Sequence, residues 1–153
     1  MNKHGNTQNS TVKPSIFLAD EAATKSQAET LAKNLHAGDC IALSGELGAG
    51  KSLFARALMR ALGVRDHALP SPSFSLIEEY HVADGMCIAH MDWYRLDNAE
   101  AVIMLGVQDY FNAPWVSIIE WPERAPCILP QGVVRISLTL DANIPSARWF
   151  TIG

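Results

Sequence analysis

The eight residues Gly45, Glu46, Leu47, Gly48, Ala49, Gly50, Lys51 and Ser52 restrict this chain more than any others, because they fit the pattern G-x-x-x-x-G-K-[ST]. Glycines at this spacing let the backbone take positive φ, so that successive N–H groups turn toward one phosphate chain. Lys51 adds a cation beside the β and γ phosphates, and the Ser52 hydroxyl is short enough to sit on a Mg²⁺ ion. Such a loop works only between a strand and a helix, whose N-terminal dipole end faces the same anion. The flanks agree: residues 41–44 are apolar or small, and residues 53–62 have helical composition.

The rest of the chain is compatible with one domain built around that unit. At 153 residues, a single core buries about two thirds of the unfolded surface. Residues 1–13 are polar and are expected to form a flexible leader, with the P-loop domain over 14–153. A net charge of -4 argues against a broad electrostatic grip on nucleic acid. Cys40, Cys87 and Cys127 lie far apart without a C-x-x-C, which indicates neither a disulfide framework nor a zinc ribbon. No apolar run reaches membrane-spanning length and no secretion signal is recognisable, so the cytoplasm is the expected compartment, with no membrane partner.

Periodicity orders the remaining segments. Residues 15–18 read as a first strand, and Asp20 caps a helix expected over residues 21–36, with Ala28, Leu31, Ala32 and Leu35 inward. The helix after the loop should turn Phe54, Ala57, Leu58 and Ala61 to the core and stop at Gly63. Residues 69–73 contain two prolines and read as extended, leading into a strand that alternates through Phe74, Leu76 and Tyr80. A turn at residues 83–85 returns the chain as a strand over 86–91. Residues 98–105 read as a helix capped by Asp97 or Asn98. Residues 115–119 form an almost wholly apolar strand ending in Glu120, and residues 133–140 and 147–152 read as a closing hairpin.

Two strand-end acids are the candidates to complete the site. A phosphate loop needs a partner carboxylate for Mg²⁺, and Glu120 sits where a buried strand delivers one. Asp92 follows the strand ending in His90-Met91, where it either ligates metal, orients attacking water or caps the turn after it. Strand alternation puts His90 on the side taken by Asp92. Ser73 either reaches the metal from its loop or belongs to a plain connector, and Arg95 and Arg124 are the nearest cations for transition-state charge or else surface salt-bridging residues.

In combination, G-E-L-G-A-G-K-S, S-P-S-F-S-L-I-E-E-Y, H-M-D-W-Y-R-L, L-G-V-Q-D-Y-F and I-I-E-W-P-E-R resemble TsaE, the bacterial ATPase family of tRNA threonylcarbamoyladenosine biosynthesis. The resemblance spans residues 16–124 and implies a P-loop NTPase fold with a mixed central sheet flanked by helices. It implies binding of ATP and Mg²⁺, with hydrolysis that is weak until partners engage. Those partners would be the TsaB and TsaD proteins, with tRNA met only through their complex. By position, Lys51 and the loop amides of Glu46, Leu47, Gly48, Ala49, Gly50, Ser52 and Leu53 hold phosphate, Ser52 and Glu120 serve the metal, and Asp92, Glu120 and Lys51 are catalytic. Trp121 matches the family's site tryptophan, and Thr24 falls where family members approach adenine. A P-loop small-molecule kinase and a nucleotide-gated binding module without useful turnover are the alternatives. The kinase lacks an arginine-rich lid after Glu120, and no N-K-x-D follows the loop to read guanine.

Overall fold

A computed structural model describes residues 13–153, so the expected leader lies outside the described residues except for Lys13. The chain runs β1 (Ser15–Leu18), α1 (Glu21–Ala32), β2 (Cys40–Ser44), α2 (Lys51–Leu62), β3 (Ile77–His81), β4 (Cys87–Asp92), α3 (Ala99–Met104), β5 (Trp115–Glu120), β6 (Val134–Leu140) and β7 (Arg148–Ile152). The strands form one seven-stranded mixed sheet in the order β1-β7-β6-β2-β5-β4-β3. Strands β6, β2, β5 and β4 are mutually parallel, and antiparallel partners close both edges. This is the expected P-loop NTPase-like fold.

Both faces of the centre are covered, which is why β2 and β5 read as continuous apolar runs. On one face Ile41, Leu43, Ile88, Ile118 and Ile136 pack with Phe54 and Leu58 of α2 and Ala28 and Leu31 of α1. On the other, Ala89, Met91 and Ile119 pack with Trp93, Val102 and Val107. Each fully buried large aliphatic side chain contributes about 1.5–3 kcal/mol. The strand ends that carry the acids are therefore anchored on both sides.

Several local expectations shift for identifiable reasons. Asp20 caps α1 by accepting from the Ala23 N–H at 2.9 Å, but α1 ends at Ala32 rather than near residue 36. The Asp39 carboxylate takes the His36 N–H at 2.7 Å and draws that segment out of the helix. In α2 the buried stripe is Lys51, Phe54, Ala55, Leu58 and Met59, while Ala57 is half-buried and Ala61 exposed. The phase of the helix is set by Lys51, which must face inward at its first position. Residues 72–76 form a closed turn rather than an alternating strand: the Leu76 N–H donates to the Pro72 carbonyl at 2.9 Å, and Leu76 has φ 70°. Phe74 consequently faces solvent, 82% exposed, and β3 begins only at Ile77. Asn98, not Asp97, caps α3. No helix among the described residues is long and apolar enough to cross a membrane.

Candidate functional site

Strand β2 rises to Ser44 and then turns at Gly45, where a side chain cannot be accommodated. A Cβ there would lie 2.6 Å from the Leu138 carbonyl oxygen of β6, the strand paired with β2. At the far end Gly50 takes φ 97° as the N-cap of α2, a conformation that glycine adopts without strain. Between them, Lys51 folds back over the loop. Its ammonium donates to the Gly45 carbonyl and to the Glu46 carbonyl at 3.1 Å, and lies 4.1 Å from the centre of the Trp121 ring. Burial lowers the pKa of this ammonium, while Glu120, Glu123, Asp92 and Glu46 act in the opposite sense. Lys51 is thus a desolvated cation held ready among acids.

A residue with no local sequence signal supports the loop from outside. Arg148, at the start of β7, donates from Nε to the Ala49 carbonyl at 3.0 Å and from Nη2 to the Gly48 carbonyl at 3.2 Å. Its Nη1 donates to the Pro145 carbonyl at 2.7 Å and the Ala147 carbonyl at 2.9 Å. In a planar trans peptide the N–H points opposite to the C=O. Holding the Ala49 carbonyl on Arg148 therefore aims the Gly50 N–H the other way. No local pattern marks this arginine, because its partners lie about a hundred residues earlier in the chain.

The two acids meet through sheet register. Asp92 and Glu120 are paired neighbours at the ends of parallel strands β4 and β5, and Glu120 is also paired with Leu43 just before the loop. Glu120 is 2% exposed, and its Oε1 accepts from the Ser52 hydroxyl at 2.9 Å. Its Oε2 lies 2.7 Å from Nε2 of His90, which is fully buried on the same face of β4. Asp92 is 6% exposed and divides its oxygens: Oδ1 accepts from the Tyr94 N–H at 2.9 Å, and Oδ2 lies 3.5 Å from the Ser73 hydroxyl. It is both a turn cap and an acid in the cleft.

These groups line one cleft of about 530 Å³. Gly48, Gly50, Lys51, Ser52, Asp92 and Glu120 form its floor, with Leu47, Leu53, Thr24 and Trp121 around it. Trp121 has φ 59°, a left-handed conformation costing a non-glycine residue about 1–3 kcal/mol. That turn brings its ring over Lys51 and within 4.8 Å of the Tyr94 ring. Two of the loop residues stand aside: Ala49 is buried, and Glu46 borders a neighbouring hollow with Trp121 and Arg124. Arg95 lines the cleft with its guanidinium stacked 4.0 Å from the Phe74 ring, whereas Arg124 is bound to the Tyr94 carbonyl and borders the hollow. Ser52 Oγ and Glu120 Oε1 form a hard oxygen pair of the kind that suits Mg²⁺, an ion that takes one or two protein ligands and the rest from phosphates and water. Among the described residues no group of three or more His, Cys, Asp or Glu side chains forms a metal cage.

Known proteins share this arrangement of segments. Residues 18–148 match the family model described as threonylcarbamoyl adenosine biosynthesis protein TsaE. A tRNA threonylcarbamoyladenosine biosynthesis protein TsaE of Rickettsia felis is 33% identical over 129 residues, covering 84% of this chain and 74% of that protein. The protein of the same name from Treponema pallidum is 37% identical over 109 residues, covering 71% and 78%. The one from Haemophilus influenzae is 38% identical over 96 residues, covering 63% of this chain and 60% of that protein's length. The crystal structure of Bacillus subtilus YdiB superimposes with a TM-score of 0.74 at 28% identity, over 92% of this chain and 84% of that one. The family match spans the chain from the end of β1 to the start of β7 and so contains the loop, both strand-end acids and Arg148; the chain belongs to the TsaE family.

Proposed function

We propose that the cleft binds Mg·ATP and hydrolyses ATP, and that the chain does so with TsaB and TsaD in tRNA threonylcarbamoyladenosine biosynthesis. The observation that carries this reading is the convergence of Lys51, Asp92 and the Ser52–Glu120 hydrogen bond on the floor of one cleft. The loop amides and the first turn of α2 would receive the phosphates, and Lys51 would exchange its two loop carbonyls for phosphate oxygens. Ser52 and Glu120 would hold Mg²⁺, whose charge neutralises the oxygens of the transferring phosphoryl group. Asp92 has one oxygen fixed on the Tyr94 N–H, which leaves Oδ2 to orient a water molecule. Trp121 walls the phosphate end beside Lys51, and Thr24 of α1 borders the site where the base would lie.

A net charge of -4 supports contact with tRNA through the complex rather than by this chain alone. The cytoplasm, where tRNA is modified, is the compartment this function requires. The test is ATP hydrolysis measured with and without the TsaB and TsaD proteins of the same organism, alongside a pull-down. Stimulated, Mg²⁺-dependent phosphate release and a recoverable complex are expected. Absence of both would overturn the partner assignment.

A further inference from the structure

His90 occupies a place that packing alone does not explain. It lies two residues before Asp92 on β4, and so on the same face of the sheet. Its paired neighbour on β5 is Ile118, two residues before Glu120, so the imidazole reaches the carboxylate along the diagonal. The contact is 2.7 Å from Nε2 to Oε2, with His90 fully buried. A carboxylate offers only lone pairs, so Nε2 carries the proton and donates. The other nitrogen, Nδ1, is buried without a hydrogen-bond partner among the described residues. All the hydrogen bonding of this side chain is therefore directed at Glu120, at the cost of an unpaired nitrogen.

The geometry points to His90 as a positioning residue that fixes the rotamer of Glu120 for the metal, an inference resting on the Mg·ATP reading of the site. Glu120 has two side-chain anchors, Ser52 on Oε1 and His90 on Oε2. Ser52 is itself the hydroxyl assigned to the metal, so its bond to Glu120 must adjust when the ion arrives. The His90 bond lies on the far oxygen and can persist. It keeps Oε1 facing Ser52 and prevents the flexible glutamate from swinging out of the phosphate end.

Two substitutions separate this role from packing. The amide nitrogen of a glutamine can reach the position of Nε2, whereas that of an asparagine stops near Nδ1. Titration calorimetry of ATP in EDTA and in Mg²⁺ gives the affinity gain due to metal for wild type, His90→Gln and His90→Asn. Metal-free ATP affinity is expected to stay within about twofold in all three. The metal-dependent gain is expected to fall about tenfold or more in His90→Asn and to be largely retained in His90→Gln. A gain changed equally in both variants, or in neither, overturns the positioning role. If wild type shows no metal-dependent gain, the Mg·ATP reading fails and this role with it. Should either variant not fold, ¹⁵N NMR of the wild-type imidazole decides: an Nε2–H tautomer whose signal shifts in Glu120→Gln is expected, and an Nδ1–H tautomer overturns the assignment.

Discussion

At the floor of the cleft Lys51, Asp92 and Glu120 are each at most 6% exposed and bonded to protein groups, whereas at its mouth Leu47 is 77% exposed and Phe74, stacked on the cleft residue Arg95, is 82% exposed. The floor is set by strand register and by the phase of α2; the mouth hangs on a closed turn and on the exposed tip of the loop. Charges fixed in a water-poor floor act strongly on a reacting phosphate, because they need not reorganise when charge develops. Side chains at the mouth remain hydrated and cost little to alter. Chemistry should therefore fail when the floor is changed and persist when the mouth is.

The largest effect is expected at Lys51. Lys51→Ala should weaken ATP binding by about 100-fold or more by calorimetry, since a desolvated charge-assisted contact to phosphate is lost. Its melting temperature should not fall, because the substitution also removes a buried cation. Glu120→Ala should keep metal-free nucleotide binding but lose the metal-dependent gain in affinity and about 100-fold of Mg²⁺-dependent turnover, measured with TsaB and TsaD present. Equal hydrolysis by this variant and wild type would remove Glu120 from the metal site. Arg148→Met, which keeps the length but none of the donors, should cost about tenfold in ATP affinity by releasing the Gly48 and Ala49 carbonyls. If that variant binds as wild type does, the loop holds its shape without the brace.

A pH titration probes the floor without mutation. The Lys51 pKa is lowered in the folded protein, so its proton is lost at lower pH than from an ordinary lysine. Metal-free ATP affinity should accordingly decline on the alkaline side before the unperturbed lysine range, by up to about tenfold per pH unit once the group titrates. The smallest effect is reserved for the mouth: Phe74→Ala should change ATP affinity by less than about threefold and stability by less than about 0.5 kcal/mol. A larger loss would show that the turn closes on nucleotide and that the contrast between floor and mouth is too sharp.

The same contrast explains what could be read from sequence. The glycine-rich loop and the acids at Asp92 and Glu120 were legible because strand, loop and helix signals are local and strand ends converge in this fold. The turn at residues 72–76 is not legible, because Phe74 and Leu76 alternate as a strand would, while the Leu76 N–H in fact donates to the Pro72 carbonyl at 2.9 Å. The buried face of α2 differs slightly in phase from its periodicity, since Ala57 and Ala61 are as apolar as Ala55 and only the inward Lys51 distinguishes the stripes. Arg148 had no local signal at all. His90 was placed on the correct face by alternation, but its partner depends on the register of β4 against β5, which one strand cannot reveal.

The most direct measurement is a crystal structure of the protein with Mn²⁺ and a non-hydrolysable ATP analogue, with the metal located by its anomalous signal. One metal is expected bonded to Ser52 Oγ, with Glu120 facing it directly or through one water, and the triphosphate under Lys51. A metal away from that pair, or a nucleotide bound outside the cleft, would contradict it.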